Sequence, residues 1–158
     1  IKNLIKDING NTLVLFNYIE KHGEPLYELI NNNVDDARKV FFVHGATEVE
    51  DREEVRKITE SESNAIIVAS YGTFSTGINI KRLHNIIFAS PSKSRIRNLQ
   101  SIGRVLRKGE GKDIATLYDI ADDIGGQNYT LKHLNERVNI YNDENFKYEV
   151  IKVNLRAN

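Results

Sequence analysis

Cysteine is absent from this sequence, which excludes disulfides, thiol nucleophiles and thiolate metal sites. That is compatible with a reducing, cytoplasmic setting, or with the host cytoplasm if the source is viral. Methionine is also missing, even at position 1, where Ile stands. Because an initiator methionine is trimmed mainly before small residues, the expectation is a fragment of a longer protein. No apolar run approaches the roughly 18–20 residues that a membrane span needs. No charged-then-apolar leader opens the chain, so neither a secretory signal nor a membrane partner is expected. Net charge is lacking too, with 22 Lys and Arg against 22 Asp and Glu. Taken alone, that balance argues against a nucleic-acid partner.

The charge is unevenly spread. From Lys81 to Lys112 there are nine basic residues and one acid, Glu110, leaving 13 basic and 21 acidic residues elsewhere. A local excess of this size forms a patch, and patches rather than totals attract phosphate. The plainer alternative is a solvated charged surface.

Short apolar runs punctuate the chain. Leu13–Phe16, Val40–Val43, Ala65–Ala69, Asn85–Ala89 and Ile114–Ile120 read as strands, continuously apolar as in a sheet covered on both faces. Helical spacing appears after Pro25, over Glu48–Thr59, over Ser94–Arg107 and over Leu131–Tyr141. Tyr148–Val153 alternates like a final peripheral strand. Strands separated by helices predict right-handed crossovers and one doubly wound, mainly parallel α/β domain over residues 1–158. Ligands in such sheets meet the loops at the strands' carboxyl ends, here after Phe16, Val43, Ala69 and Ala89.

The sharpest motif is Gln100-Ser101-Ile102-Gly103-Arg104-Val105-Leu106-Arg107. At about 100° per residue, Gln100, Arg104 and Arg107 share one helical stripe. Leu99, Ile102, Val105 and Leu106 fall away from it. Two permanently charged guanidiniums and an amide on one face suit a polyphosphate. An exposed basic helix face is the bland alternative.

QSIGRVLR resembles motif VI, Q-x-x-G-R-x-x-R, of superfamily-two helicases. The basic-glycine segment Lys108–Lys112 and the strand ending in Asp119 resemble the branch of XPB-like, restriction-enzyme-like and UvsW-like DNA translocases. The UvsW-like phage helicases, which act on branched DNA, are the nearest in impression. The resemblance implies a carboxyl-terminal RecA-like lobe, a P-loop-NTPase-like fold without its own P-loop. It makes Arg104 and Arg107 arginine fingers toward the γ-phosphate of ATP, with Gln100 positioning phosphate or water. ATP and Mg2+ would be held mainly by an amino-terminal lobe outside this sequence. DNA recombination, repair and replication are the settings such helicases serve.

A second stretch, Ile66 to Asn79, feeds a buried strand into a hydroxyl-rich loop with glycines at its bends. Hydroxyls and free amides bind phosphates without reading base sequence. It resembles helicase motif V, which would set Gly77 and Asn79 toward the nucleotide and Ser70, Thr73 and Thr76 toward the nucleic-acid backbone. Tyr71 stands where the family's leading Thr would fall. Phe16-Asn17 resembles motif IV, and Val43-His44-Gly45 the family's His-Gly loop, adding Asn17, His44 and Gly45 to the backbone contacts. A hydrogen-bonded loop histidine is an equal alternative for His44. The resemblance spans about residues 10–122, and 128–158 carries no signature.

Gly109-Glu110-Gly111-Lys112 lacks the spacing and hydroxyl residue of a phosphate loop. Asp119, Asp122 and Asp123 read as a solvated acidic turn, so no metal site is expected. With neither phosphate loop nor Asp-Glu pair, the chain alone is not expected to hydrolyse ATP. Two rivals stay open: an RNA helicase lobe, and a non-catalytic RecA-like module binding nucleic acid or protein.

Overall fold

The computed structural model describes residues 1–75, 80, 82–89, 115–125 and 129–154, with only the backbone for residues 74 and 75. Five strands form one parallel sheet: β1 (Thr12–Phe16), β2 (Val40–Val43), β3 (Ile66–Ser70), β4 (Asn85–Phe88) and β5 (Thr116–Asp119), in the order β2-β3-β1-β4-β5. The strands follow the five apolar runs because nearly every side chain in the central ones is covered. β1, β4 and the first four residues of β3 are wholly buried. The expected helix over Ser94–Arg107 lies outside the described residues.

Helices cover both faces. On one, α1 (Lys2–Asp7) and α2 (Glu24–Asn31) bring Ile5, Leu26 and Ile30 against Val14, Phe16, Ile66, Val68 and Ile87. On the other, α3 (Val49–Ser61) and α5 (Tyr129–Asp143) bring Val55, Val138 and Tyr141 against Leu13, Leu15, Ile67, Ile86 and Phe88. The two residue sets alternate along each strand, as side chains on opposite faces must. A short α4 (Tyr71–Ser75) continues directly from β3.

Three local readings change. The Tyr148–Val153 segment joins no strand among the described residues, and Val150, Ile151 and Val153 are 73%, 70% and 72% exposed. Its apolar residues are split between two faces, Tyr148 and Val150 on one and Ile151 and Val153 on the other, which leaves neither face with a full apolar row to bury. The predicted loop after β3 begins instead as the helical turn α4. Between β1 and α2 the chain makes a π-helical turn, Ile19–Gly23. A Cβ at Gly23 would lie 2.5 Å from the Phe16 ring, so only glycine fits that turn against the core.

The amino ends of the strands are stapled by Asn11, which is fully buried. Its Nδ2 donates to the carbonyls of Thr59, Glu62 and Arg82 at 2.9, 2.9 and 3.0 Å, and its Oδ1 accepts from the Ala65 amide at 2.9 Å. One side chain thereby joins the end of α3 to the approaches to β3 and β4.

Candidate nucleotide and nucleic-acid edge

Parallel pairing places every strand's carboxyl end on one edge. The register pairs Phe16 with Ser70, Leu15 with Phe88, Val43 with Ala69 and Phe88 with Asp119. His44, Ser70, Asn17, Ala89 and Ile120 therefore follow one another along that edge, at the roughly 4.8 Å strand spacing. The central strand β1 ends between β3 and β4, where the winding reverses from one side of the sheet to the other. Such a switch point is where open parallel sheets bind ligands.

Asn17 is half-buried, immediately after β1, and lines a cleft of about 430 Å3 with His22, Ala89, Ile120, Ala121, Asp122 and Thr130. His44 is held in a turn. Its amide donates to Thr47 Oγ1 at 3.0 Å, and its Nδ1 accepts from the Ala46 amide at 3.3 Å. Its ring lies 5.1 Å from that of Phe42. The hydrogen-bonded loop role is thus filled by Nδ1. Gly45 is exposed, and nothing stands within 4 Å of a Cβ placed there.

Ser70 and Thr73 work as a pair. Their hydroxyls are 2.7 Å apart, and the Thr73 amide donates to Ser70 Oγ at 3.3 Å, which caps the start of α4. Thr73 is only 3% exposed, so the structure puts it beneath the edge rather than on it. Tyr71, at the family's Thr position, is buried and packs edge-on against Phe88 with centroids 5.6 Å apart. Thr76, Gly77, Asn79, Gln100, Arg104 and Arg107 lie outside the described residues.

Asp119 departs from its expected solvated turn. It ends β5 with its side chain 9% exposed, paired with Arg137 of α5, itself 2% exposed. Arg137 Nε and Nη2 donate to the two carboxylate oxygens at 2.7 and 2.8 Å, and the Tyr141 hydroxyl donates at 2.5 Å. Burial, then the Asp119 charge, push the Tyr141 phenol well above its ordinary pKa. Asp122 and Asp123 are exposed, as expected of a solvated turn. Among the described residues, no group of three or more His, Asp or Glu stands ready to hold a metal ion. No helix among them is long and apolar enough to cross a membrane.

Comparison with known proteins places these features in context. The family model for the helicase conserved C-terminal domain matches residues 1–109. The chain is 41% identical to the ATP-dependent DNA helicase UvsW of Enterobacteria phage T4, over 92% of this chain and 31% of that protein. The crystal structure of T4 UvsW superposes with a TM-score of 0.72 at 38% identity, covering 92% of this chain and 32% of that one. Domain 2 of the DEAD-box helicase Mss116p, solved bound to an RNA duplex, gives 0.66 at 19% identity, covering 89% of this chain and 52% of that one. The last likeness is one of fold alone. The chain spans about a third of the length of the UvsW relative.

Proposed function

Because this chain belongs to the helicase conserved C-terminal domain family, with the RecA-like fold of that family's lobes, we propose that it is the second motor lobe of an ATP-dependent DNA helicase or translocase. The observation that carries the reading is the shared edge. β3 and β4 flank β1 with the same polarity. The segment bearing Gly77 and Asn79 follows β3, and the segment bearing Gln100, Arg104 and Arg107 follows β4, so both leave the sheet from one edge about 10 Å apart. Asn17 sits between them.

In this reading an amino-terminal lobe holds ATP and Mg2+, and closure of the two lobes brings Arg104 and Arg107 to the γ-phosphate. Their planar, permanently charged forks stabilise the charge that develops on the transferred phosphoryl group. Gln100 positions phosphate or water, and Gly77 and Asn79 face the nucleotide. Asn17, His44, Gly45, Ser70 and Thr76 track the nucleic-acid backbone, whereas Thr73 acts through Ser70. DNA is favoured over RNA because the relative at 41% identity is a DNA helicase. Junctions and branched DNA, which the motif resemblance implies, are the proposed substrates.

The test is Arg107→Ala in the complete protein. DNA-stimulated ATPase should fall by on the order of 10³–10⁵, as for other arginine fingers. Arg107→Lys should rescue poorly, since the ammonium keeps charge but loses the fork. Arg95→Ala, off the stripe, should alter DNA affinity more than turnover. A folded Arg107→Ala protein within a few-fold of wild type would refute the assignment.

A further inference from the structure

The contact between β5 and α5 is an odd choice for stability alone. Arg137 is buried at 2% exposure, yet among the described residues only its Nε and Nη2 find partners, and the buried Nη1 has none. A buried ion pair repays its desolvation only when its remaining protons are satisfied, and apolar residues of similar volume often serve as well or better. What an ion pair adds is direction. The bidentate fork fixes the angle and distance between the end of β5 and α5, and the Tyr141 hydroxyl closes a third bond on the same carboxylate.

That geometry bears on what lies next to it. Residues 120–125 leave β5 directly after Asp119, and Ile120, Ala121 and Asp122 line the cleft shared with Asn17 and His22. A second tie sits farther along, where the Thr130 hydroxyl donates to the Asp122 carbonyl. At the far end, the Gly125 amide donates to Asp123 Oδ1 at 3.4 Å, and Gly125 takes the left-handed conformation with φ +74°. The segment is therefore clamped to α5 at its root and its middle, and it turns back at Gly125.

We propose that Asp119, Arg137 and Tyr141 form a positioning latch that holds Ile120, Ala121 and Asp122 as the cleft wall shared with Asn17, and thereby sets how well this edge engages DNA. The inference rests on the helicase reading above. It assigns the three residues no contact with DNA or nucleotide; they act through the wall.

The experiment uses the complete protein, a forked DNA duplex and the DNA dependence of ATPase. Asp119→Leu/Arg137→Met removes both charges and keeps apolar bulk. Its melting midpoint should stay close to wild type, and the KM for ATP should be unchanged. The DNA concentration giving half-maximal stimulation should rise about tenfold, as expected for a site whose supporting contacts are loosened. Arg137→Lys, which keeps the charge but not the fork, should not restore wild-type half-saturation. Tyr141→Phe keeps the pair and the packing and should raise half-saturation about two- to threefold, the value of one hydrogen bond. That variant carries the test if the double variant does not fold. Stable variants with unchanged half-saturation would overturn the latch. Asn17→Ala, measured alongside, separates the two claims. If it raises half-saturation while the latch variants do not, only the latch falls. If none of them shifts it, this edge is not the DNA face and the functional reading falls too.

Discussion

Replacing Asn11 with alanine should unfold this domain at markedly milder conditions. The Nδ2 group has two hydrogens for its three carbonyl partners, so its bonds amount to about two full ones. The Oδ1 bond to the Ala65 amide makes a third. At about 1 kcal/mol each, the direct loss is about 3 kcal/mol. The stranded Ala65 amide adds about 1–2 kcal/mol if water cannot reach it. The expected total of about 3–5 kcal/mol is a large part of an ordinary domain's stability, roughly 5–15 kcal/mol. For a chain of this size the midpoint should fall by roughly 10 °C or more. Asn11→Asp, nearly isosteric, should do at least as much harm, because it points a carboxylate at three carbonyls. Urea unfolding followed by circular dichroism measures the change, and the slope with denaturant should stay constant. Because Asn11 lies at the amino end of β1, a five-residue strand away from Asn17, nucleic-acid binding well below the midpoint should be untouched. A loss under about 1 kcal/mol would refute the view that this side chain staples the amino edge.

Gly23→Ala should cost about 1–3 kcal/mol by forcing a Cβ into the Phe16 ring. Phe16→Leu in the same background should recover part of that in a melting experiment, and no recovery would place the strain elsewhere. Tyr141 has its pKa raised on folding, so its contribution is complete below about pH 10, the phenol's unfolded value, and is lost as pH climbs beyond it. Absorbance near 295 nm should show late tyrosine ionisation that accompanies loss of the fold, and Tyr141→Phe should reduce that step by one tyrosine. Binding of DNA by the complete protein should weaken steeply with salt and show little base preference, since the stretch from Lys81 to Lys112 carries nine basic residues against one acid and phosphate contacts release counterions. A flat salt dependence would remove that stretch from the interface.

The five strands were legible because each is an apolar run long enough for a strand and bounded by polar residues; Val40–Val43 agrees residue for residue. Parallel order then made the carboxyl edge legible, and Asn17, His44 and Ser70 do lie along it. Contacts distant in sequence left no such mark. Nothing local in Arg137 points to Asp119, 18 residues earlier, and an acid after a strand reads as solvated until its partner is seen. The six-residue α1 is too short for helical periodicity to reveal. Ser70 and Thr73 read as two surface hydroxyls, but a continuous β3–α4 junction turns one to cap the other. Tyr148–Val153 shows that alternation describes a strand's needs, not whether a neighbour exists to meet them.

That uncovered segment has a practical side. Bare valines and isoleucine suit strand pairing, and this sheet ends in two short strands, β2 and β5. In concentrated solution, this segment of one molecule has the composition to add itself to the rim of another, and Lys152 is the one charge within Val150–Val153 to discourage it. Shelf life and crystallisability of this domain should therefore respond to changes at Val150, Ile151 and Val153, which lie exposed outside its core.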